Sequence, residues 1–419
     1  MPGNPAGMEL KNKNQHAPTI RDRAFHILKP NAMKDHLDFA IEKRWITPND
    51  RALITRYIDE RRVVANIQNA RAFKIMSVLV NWRHYIPPFE ENTADTIYEG
   101  IGKRKTTLYQ SRPIKQNTLR DYITFLKRFY HWLITNKLST IPWDKIKVIK
   151  PPGADTMTTT SEDLLTEQEV LAMIDVCMNS RDRALISVMY EGAFRIIEMA
   201  TVEWQQVKFD SLGVVINTNK KTEKPRYVRL VSSVPLLAAW RKDYPYEAEG
   251  ENLVFITHQH KPLEHGQINL QLKKIARRAG IKKRIHPHLF RHSRVTHLLQ
   301  QGCSESVVKL MCWGSQSTKM LGNYAHLSSS DVDAEILRLH GIQRPEESGK
   351  SLMVAIQCRN CQAICEPGVR YCGTCGMPLS VKEERTLEQI TKKIERHPVY
   401  LSLLAELTKK AAEMEGATQ

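Results

Sequence analysis

The chain has 419 residues, enough for two or three domains, and a formal net charge of +17 from 62 Lys and Arg against 45 Asp and Glu. A basic excess of that size favours a polyanionic partner, nucleic acid first, although charge alone leaves a ribosomal or simply basic protein open. No apolar run approaches the roughly 18–20 residues of a membrane span, and residues 1–23 lack the apolar core of a signal peptide, so a protein that stays in the cytoplasm with no membrane partner is expected.

Residues 1–30 are polar and read as a flexible basic arm. Over 32–149 the pattern is mostly helical, which predicts a helical domain at 31–150. Asn49 and Asp50 precede a helix holding Ala52, Leu53, Ile54, Tyr57 and Ile58. The clearest helix covers about 119–133, with Leu119, Tyr122, Ile123, Leu126, Phe129, Tyr130 and Leu133 on one face. Thr118, with Asp121 three residues on, has the spacing of a capping box at its start. Arg120, Lys127 and Arg128 lie off the stripe, Lys103-Arg104-Lys105 precede it, and Lys145, Lys147 and Lys150 follow. A helical domain edged with cations suits a clamp on DNA backbone, though any one of these charges is more often plain solvated surface.

The run Pro-Pro-Gly-Ala-Asp-Thr-Met-Thr-Thr-Thr-Ser at 151–161 has linker composition and sets a boundary across 151–163. Thr166-Glu-Gln-Glu is a second capping box, and a further helix is expected at 182–189. Val214-Val215-Ile216 and Tyr227-Val228-Arg229-Leu230 are β-prone runs flanking a polar turn at 219–224, which predicts a hairpin. Helices resume at 266–279, 288–301 and 304–311. No internal repeat is present. The tail is helical over 383–410: Leu387, Ile390 and Ile394 form a stripe, Pro398 interrupts it, and Leu401, Leu404 and Leu407 continue it.

Four short patterns follow one another in the second half of the chain. They are Tyr190-Glu191-Gly192-Ala193-Phe194-Arg195-Ile196-Ile197-Glu198, then Lys221 in the hairpin turn, then His288-Leu289-Phe290-Arg291-His292 with Thr296-His297-Leu298-Leu299 and Gly302, and finally Trp313 with Tyr324-Ala325-His326-Leu327. In this order they resemble the tyrosine recombinase (phage integrase) family, whose catalytic set is Arg, Lys, His-x-x-Arg, His or Trp, and Tyr. The ending Tyr-Ala-His-Leu-Ser, the later Leu-His-Gly-Ile and a trailing cysteine module look most like its archaeal-type integrases. The resemblance covers about 164–342 and, more weakly, the helical N-terminal domain, which looks like the family's core-binding domain. It implies a mostly α fold: a helical (SAM-like) core-binding domain, an α+β catalytic domain at 164–345 with a small β-sheet and hairpin, a small zinc ribbon and a C-terminal helix.

The resemblance implies an enzyme that cuts and rejoins DNA without a cofactor for catalysis. Breaking a phosphodiester without losing its bond energy calls for a covalent intermediate on a nucleophilic side chain. Tyr324 would attack the scissile phosphate, leaving a 3′-phosphotyrosine and a free 5′-hydroxyl. Arg195 and Arg291 would hold the non-bridging oxygens with forked, permanently charged donors. Lys221 would protonate the leaving 5′-oxygen, His288 would manage the tyrosine proton or orient the phosphate, and Trp313 would donate its indole N–H. Double-stranded DNA at specific sites and a homo-tetramer during strand exchange are the implied partners. The implied role is integration of a mobile element; a chromosome-dimer-resolving recombinase and a catalytically silent DNA-binding relative are the alternatives. A silent descendant should have lost at least one of the six residues.

Plainer readings stand beside these. Arg195 has the spacing to pair with Glu198, Lys220 and Lys224 share the turn with Lys221, and His286, His288 and His292 could pass for metal ligands, though no carboxylate or Cys accompanies them. Three departures from the family pattern are visible. Ala193 replaces a common Gly, Cys312 stands before Trp313 where Gly is usual, and the 313–324 stretch is slightly long, so cis or trans attack stays open.

Five of the eight cysteines lie between Cys358 and Cys375, and in a reducing compartment such crowding points to metal. Cys358-x-x-Cys361 and Cys372-x-x-Cys375 form two knuckles suited to a structural, tetrahedral Zn²⁺, with Cys365 as a spare thiol. A zinc-ribbon module is expected at 354–381 and a helical tail at 382–419, the latter able to pack on a neighbouring subunit.

Overall fold

The computed structural model describes residues 17–19, 31–108, 111–155, 160–218, 225–318, 321, 351–403 and 406. Lys221 and Tyr324 lie outside the described residues, as do most of the predicted N-terminal arm and the hairpin turn. The chain divides into two compact units, one of residues 26–158 and one of 1–25 together with 159–419.

The described residues of the smaller unit form six helices: α1 (Ala32–Glu42), α2 (Pro48–Ala65), α3 (Asn69–Trp82), α4 (Ala94–Thr106), α5 (Gln116–Thr135) and α6 (Trp143–Lys147). Its core is aromatic and aliphatic, with Ile54, Leu79, Trp82, Phe89, Phe129 and Tyr130 fully buried. Asn49 and Asp50 sit inside the first turn of α2 rather than before it. Thr47 is the cap, accepting from the Asp50 N–H at 3.0 Å while Asp50 accepts from the Thr47 N–H at 2.9 Å. The buried Asp50 carboxylate also receives Arg83 Nε at 2.7 Å and the Phe89 N–H at 2.9 Å, so one side chain starts α2 and ties down the chain after α3.

Helix α5 begins at Gln116, two residues before the expected Thr118 cap. A tertiary contact extends it: Gln116 donates to the Gly153 carbonyl at 3.1 Å, and Asn117 exchanges bonds with the Asp155 backbone at 2.8 and 2.9 Å. Asp121, freed from capping, pairs with Lys74 at 2.5 Å. Two of the predicted surface cations also have structural work. Arg104 turns inward between the Tyr85 and Tyr122 rings, 5.1 and 5.2 Å from their centroids, and Lys127 donates to the Lys147 and Ile149 carbonyls.

The larger unit is built on α7 (Glu167–Asp175), α8 (Ser180–Glu191), α9 (Ile196–Thr201), α10 (Val234–Asp243), α11 (His265–Arg278), α12 (Pro287–Gln300) and α13 (Glu305–Trp313). The Thr166 capping box forms with Glu169 as the sequence predicts. Helix α8 is the hub, buried from Ala184 to its end and packed on α7, α10 and α12. Beside it lies an antiparallel sheet of β1 (Val207–Asp210), β2 (Gly213–Asn217) and β3 (Tyr227–Leu230) in the order β1-β2-β3. The predicted pairing of β2 with β3 forms, with Val214 opposite Leu230 and Ile216 opposite Val228. Strand β1 was not expected; its half-buried alternation over four residues is too short to read against background.

A two-stranded ribbon, β4 (Ile356–Gln357) with β5 (Ile364–Cys365), carries the cysteine knuckles, and α14 (Val381–Glu395) follows. The ribbon is seated on the larger unit. Met353 joins its core, Glu167 accepts from Ser351 Oγ and the Leu352 N–H, Arg183 pairs with Glu366 at 3.0 Å, and β5 packs on α10. No described helix is long and apolar enough to cross a membrane.

Candidate active site

Arg195 is the N-cap of α9, and the Glu198 carboxylate one turn on accepts both its backbone N–H at 2.7 Å and its Nη1 at 2.9 Å. The pairing that the spacing allowed therefore exists, and it orients the guanidinium rather than hiding it: the Arg195 side chain is one-third exposed while Glu198 is fully buried. A second arginine shares the carboxylate. Arg226 donates from Nε at 3.1 Å and from Nη2, gives further bonds to the Gly192 and Met311 carbonyls, and lies 5.0 Å from the Phe194 ring centroid. Arg226 was not singled out from the sequence. Its signal was parity: Arg226, immediately before β3, keeps the alternation of the buried Val228 and Leu230.

Helix α12 starts with His286, whose Nδ1 accepts from the Leu289 N–H at 3.2 Å, and with Pro287 in the first turn. His288 follows at the surface, and Arg291 lies three residues later on the same side of the helix, buried. The Arg291 guanidinium spans two carbonyls, Ala193 from Nη1 and Cys312 from Nη2, each at 2.5 Å, and sits 5.0 Å from the Trp313 ring centroid. Trp313 is the last residue of α13, which Gly314 ends in a left-handed conformation at φ +66°. The structure thus gathers Arg195, His288, Arg291 and Trp313 around one spot, and adds Arg226 and Glu198.

Two of the three family departures fall at Arg291. Ala193 holds φ +46°, a left-handed conformation that costs a residue with a Cβ about 1–2 kcal/mol, and its methyl is fully buried beside Val295 and Val308, which offsets part of that cost. Cys312 acts through its carbonyl, so its side chain need only fill the space it occupies, buried in the same cluster.

Electrostatically the site carries excess positive charge. Burial, with the Arg226 and Arg195 charges adding to it, pushes Arg291 down to about 10, still protonated near neutral pH. Of its five N–H donors two are committed to carbonyls, so donors remain for an incoming acceptor. Among the described residues Glu198 is the carboxylate bonded to Arg195 and Arg226: two guanidiniums share one buried negative charge, and Arg291 is bonded to carbonyls instead. Partial desolvation, then Arg291 and Arg195, lowers His288 below its ordinary value, so its imidazole is neutral at pH 7 and can take a proton.

His292, one turn beyond His288, is pushed down to about 4 by burial and by the charges of His288, His286 and Arg291. Its folded value lies below the unfolded one of about 6.5, so on acidification the unfolded chain binds the proton first. Stability present above pH 6.5 should therefore drain as pH falls towards 4, by at most about 3 kcal/mol from this residue. Urea midpoints measured from pH 7 to 4.5 should decline, and more shallowly in His292→Gln; equal slopes would remove His292 as the cause.

In the ribbon, the sulfur atoms of Cys358, Cys361, Cys372 and Cys375 all lie within 4.8 Å of one another, with Cys358–Cys375 and Cys361–Cys372 at 3.5 Å. Four sulfurs each about 2.3 Å from a zinc ion form a tetrahedron with edges of roughly 3.8 Å, so the donor set fits that metal. Backbone N–H groups of Cys375 and Thr374 draw the Cys372 thiol down, which favours the thiolate a metal requires. Cys365 stands outside the group of four, and among the described residues His286, His288 and His292 form no metal cluster.

Residues 163–331 match the model of the phage integrase family. Residues 163–331 are a tyrosine recombinase domain. As a tyrosine recombinase it is an enzyme of site-specific DNA cleavage and rejoining. A tyrosine recombinase XerC of Xanthomonas axonopodis pv. citri is 25% identical over 283 residues, covering 64% of this chain and 88% of the relative. A tyrosine recombinase of Thermosipho africanus is 26% identical over 222 residues, 52% of this chain and 74% of that one. Among solved structures, XerH site-specific recombinase bound to a palindromic difH substrate superposes at a TM-score of 0.52 with 18% identity, covering 68% of this chain and 84% of that one. DNA-bound lambda integrase (residues 75–356) does so at 0.50 with 13% identity, covering 65% and 93%. These structural likenesses speak for the fold of this recombinase, a mostly helical chain with small antiparallel sheets.

Proposed function

We propose that this recombinase cuts each DNA strand through Tyr324, forming a 3′-phosphotyrosine that a 5′-hydroxyl from another strand then resolves. The observation that carries the reading is the site's charge: Arg195 and Arg226 share one buried carboxylate while Arg291 is bonded to carbonyls, so the remaining N–H donors of Arg195 and Arg291 form a positively charged receptor for a phosphodiester. Arg195 and Arg291 hold the non-bridging oxygens as charge develops there, and Trp313 adds its indole N–H. His288 takes or orients the tyrosine proton, and Lys221 protonates the leaving 5′-oxygen. Glu198 and Arg226 position Arg195 without touching substrate.

Double-stranded DNA needs a wider grip, and two surfaces offer it. Residues 273–284 carry seven Lys and Arg and no acid, and Lys273, Arg277, Lys282 and Arg284 line a cleft there of about 480 Å³. In the smaller unit, Arg61, Lys127, Arg128, His131, Trp132 and Trp143 line a cleft of about 700 Å³. That composition supports residues 31–150 as a core DNA-binding domain, working with the 164–345 catalytic domain across the 151–163 linker. The reading extends to a mobile-element integrase of archaeal type, acting as a homo-tetramer in the cytoplasm at the nucleoid.

Zn²⁺ held by Cys358, Cys361, Cys372 and Cys375 would be structural, since the ribbon has only two two-residue strands to hold it. Stripping the metal should release one zinc per chain and open residues 354–381 to proteolysis. Unchanged digestion there would mean that the ribbon folds without it.

The test of function is covalent trapping. The protein is mixed with a nicked duplex drawn from DNA flanking its gene, denatured in detergent and run on a gel. A protein–DNA adduct is expected. Tight binding with no adduct, on that or a supercoiled substrate, would favour a silent DNA-binding relative instead.

A further inference from the structure

Helix α14 exposes an apolar stripe. Leu387, Ile390 and Ile394 are 42, 46 and 46% exposed, spaced three and four residues apart and so on one face. Beyond a break at 396–397 the chain is helical again over 398–403, where Leu401 is 52% exposed. No described residue of α14 is buried. A contiguous apolar strip left in water beside a mixed-charge surface is a docking face.

We infer that this face is a self-association surface, on which α14 of a second copy of the chain lies antiparallel. The charge order along the helix selects both the occupant and its direction. The first half carries Glu383, Glu384 and Glu388 with Lys382 and Arg385, a net −1, and the second Lys392, Lys393 and Arg396 with Glu395, a net +2. A parallel copy would set acid against acid and base against base, whereas an antiparallel copy sets each half against its opposite. With the two-fold axis at Ile390, Ile390 meets the partner's Ile390, and Leu387 comes within one residue of the level of the partner's Ile394. An interface of this kind is isologous and closes on a dimer. One short helix per copy falls below the roughly 1,000 Å² of a stable interface, so the association is weak and depends on concentration. It needs no DNA, and it requires nothing of the catalytic reading.

The test is sedimentation velocity of the full-length, zinc-loaded protein without DNA, from about 1 to about 100 µM, where a weak dimer would form. A monomer–dimer shift is expected across that range, and Ile390→Glu should remove it. Because Ile390 is exposed in the single chain, the variant should keep its circular dichroism and its covalent adduct on the nicked duplex, which separates this inference from the catalytic one. Under mild oxidation a mixture of Leu387→Cys and Ile394→Cys chains should form a disulfide between the two, and Leu387→Cys alone should not link to itself. A wild-type monomer throughout, or a dimer that survives Ile390→Glu, overturns the surface. Leu387→Cys chains that link to themselves, with no mixed disulfide, overturn the antiparallel arrangement.

Discussion

A Tyr324→Phe variant should bind the same nicked duplex as the normal protein and form no detectable adduct with it. Phenylalanine keeps the ring but has no oxygen to displace the 5′-leaving group, so the covalent step has no substitute. Loss of a nucleophile that works as one unit with its neighbours costs far more than loss of a supporting donor, at least about 10³-fold in rate. Binding should survive because affinity comes mainly from many phosphate contacts elsewhere on the protein. The measurement is a pair of gels, one native and one in detergent. An adduct of equal yield in the variant would place the nucleophile on another residue.

Arg291→Ala should fail in two separable ways. The rate of adduct formation should fall by about 10²–10³, as for the loss of one preorganised donor to a developing charge. Stability should fall as well, because the Ala193 and Cys312 carbonyls lose their partner inside the protein, at about 1–3 kcal/mol each. In thermal unfolding that is a drop of roughly 5–15 °C for a unit of this size. Arg291→Lys separates the two. A lysine ammonium keeps the charge but is a single point that cannot span both carbonyls and still face a phosphate. It should recover part of the melting temperature while the rate, measured well below that temperature, stays depressed. A lysine variant as fast as the normal protein would remove Arg291 from the phosphate-binding role.

Much of this recombinase is legible in one dimension because the relevant physics is local. The α5 stripe repeats every three or four residues, so it reads as a helix with a buried face wherever it sits. The Thr166 box closes within three residues. The motif order from Arg195 to Trp313 names the chemistry, since few other residue types can hold a phosphodiester. Cys358, Cys361, Cys372 and Cys375 announce their cluster by spacing, because a two-residue knuckle turn brings its sulfurs together by itself.

What the tertiary structure decided is the partner and direction of each charge. Lys103, Arg104 and Lys105 look alike in sequence, yet Arg104 alone turns in between two tyrosine rings. Arg226 reads as one more cation near a basic turn until the fold buries it against Glu198, 28 residues away, and Met311, 85 away. Arg291 finds the Ala193 carbonyl 98 residues upstream, which in turn requires Ala193 to be left-handed. The start of α5 moved for the same reason, through Gly153 and Asp155. Apolar periodicity records which face of an element is buried, because burying a hydrocarbon requires only exclusion of water. A buried charge requires a particular partner at hydrogen-bond distance, and that partner exists only once distant segments have met.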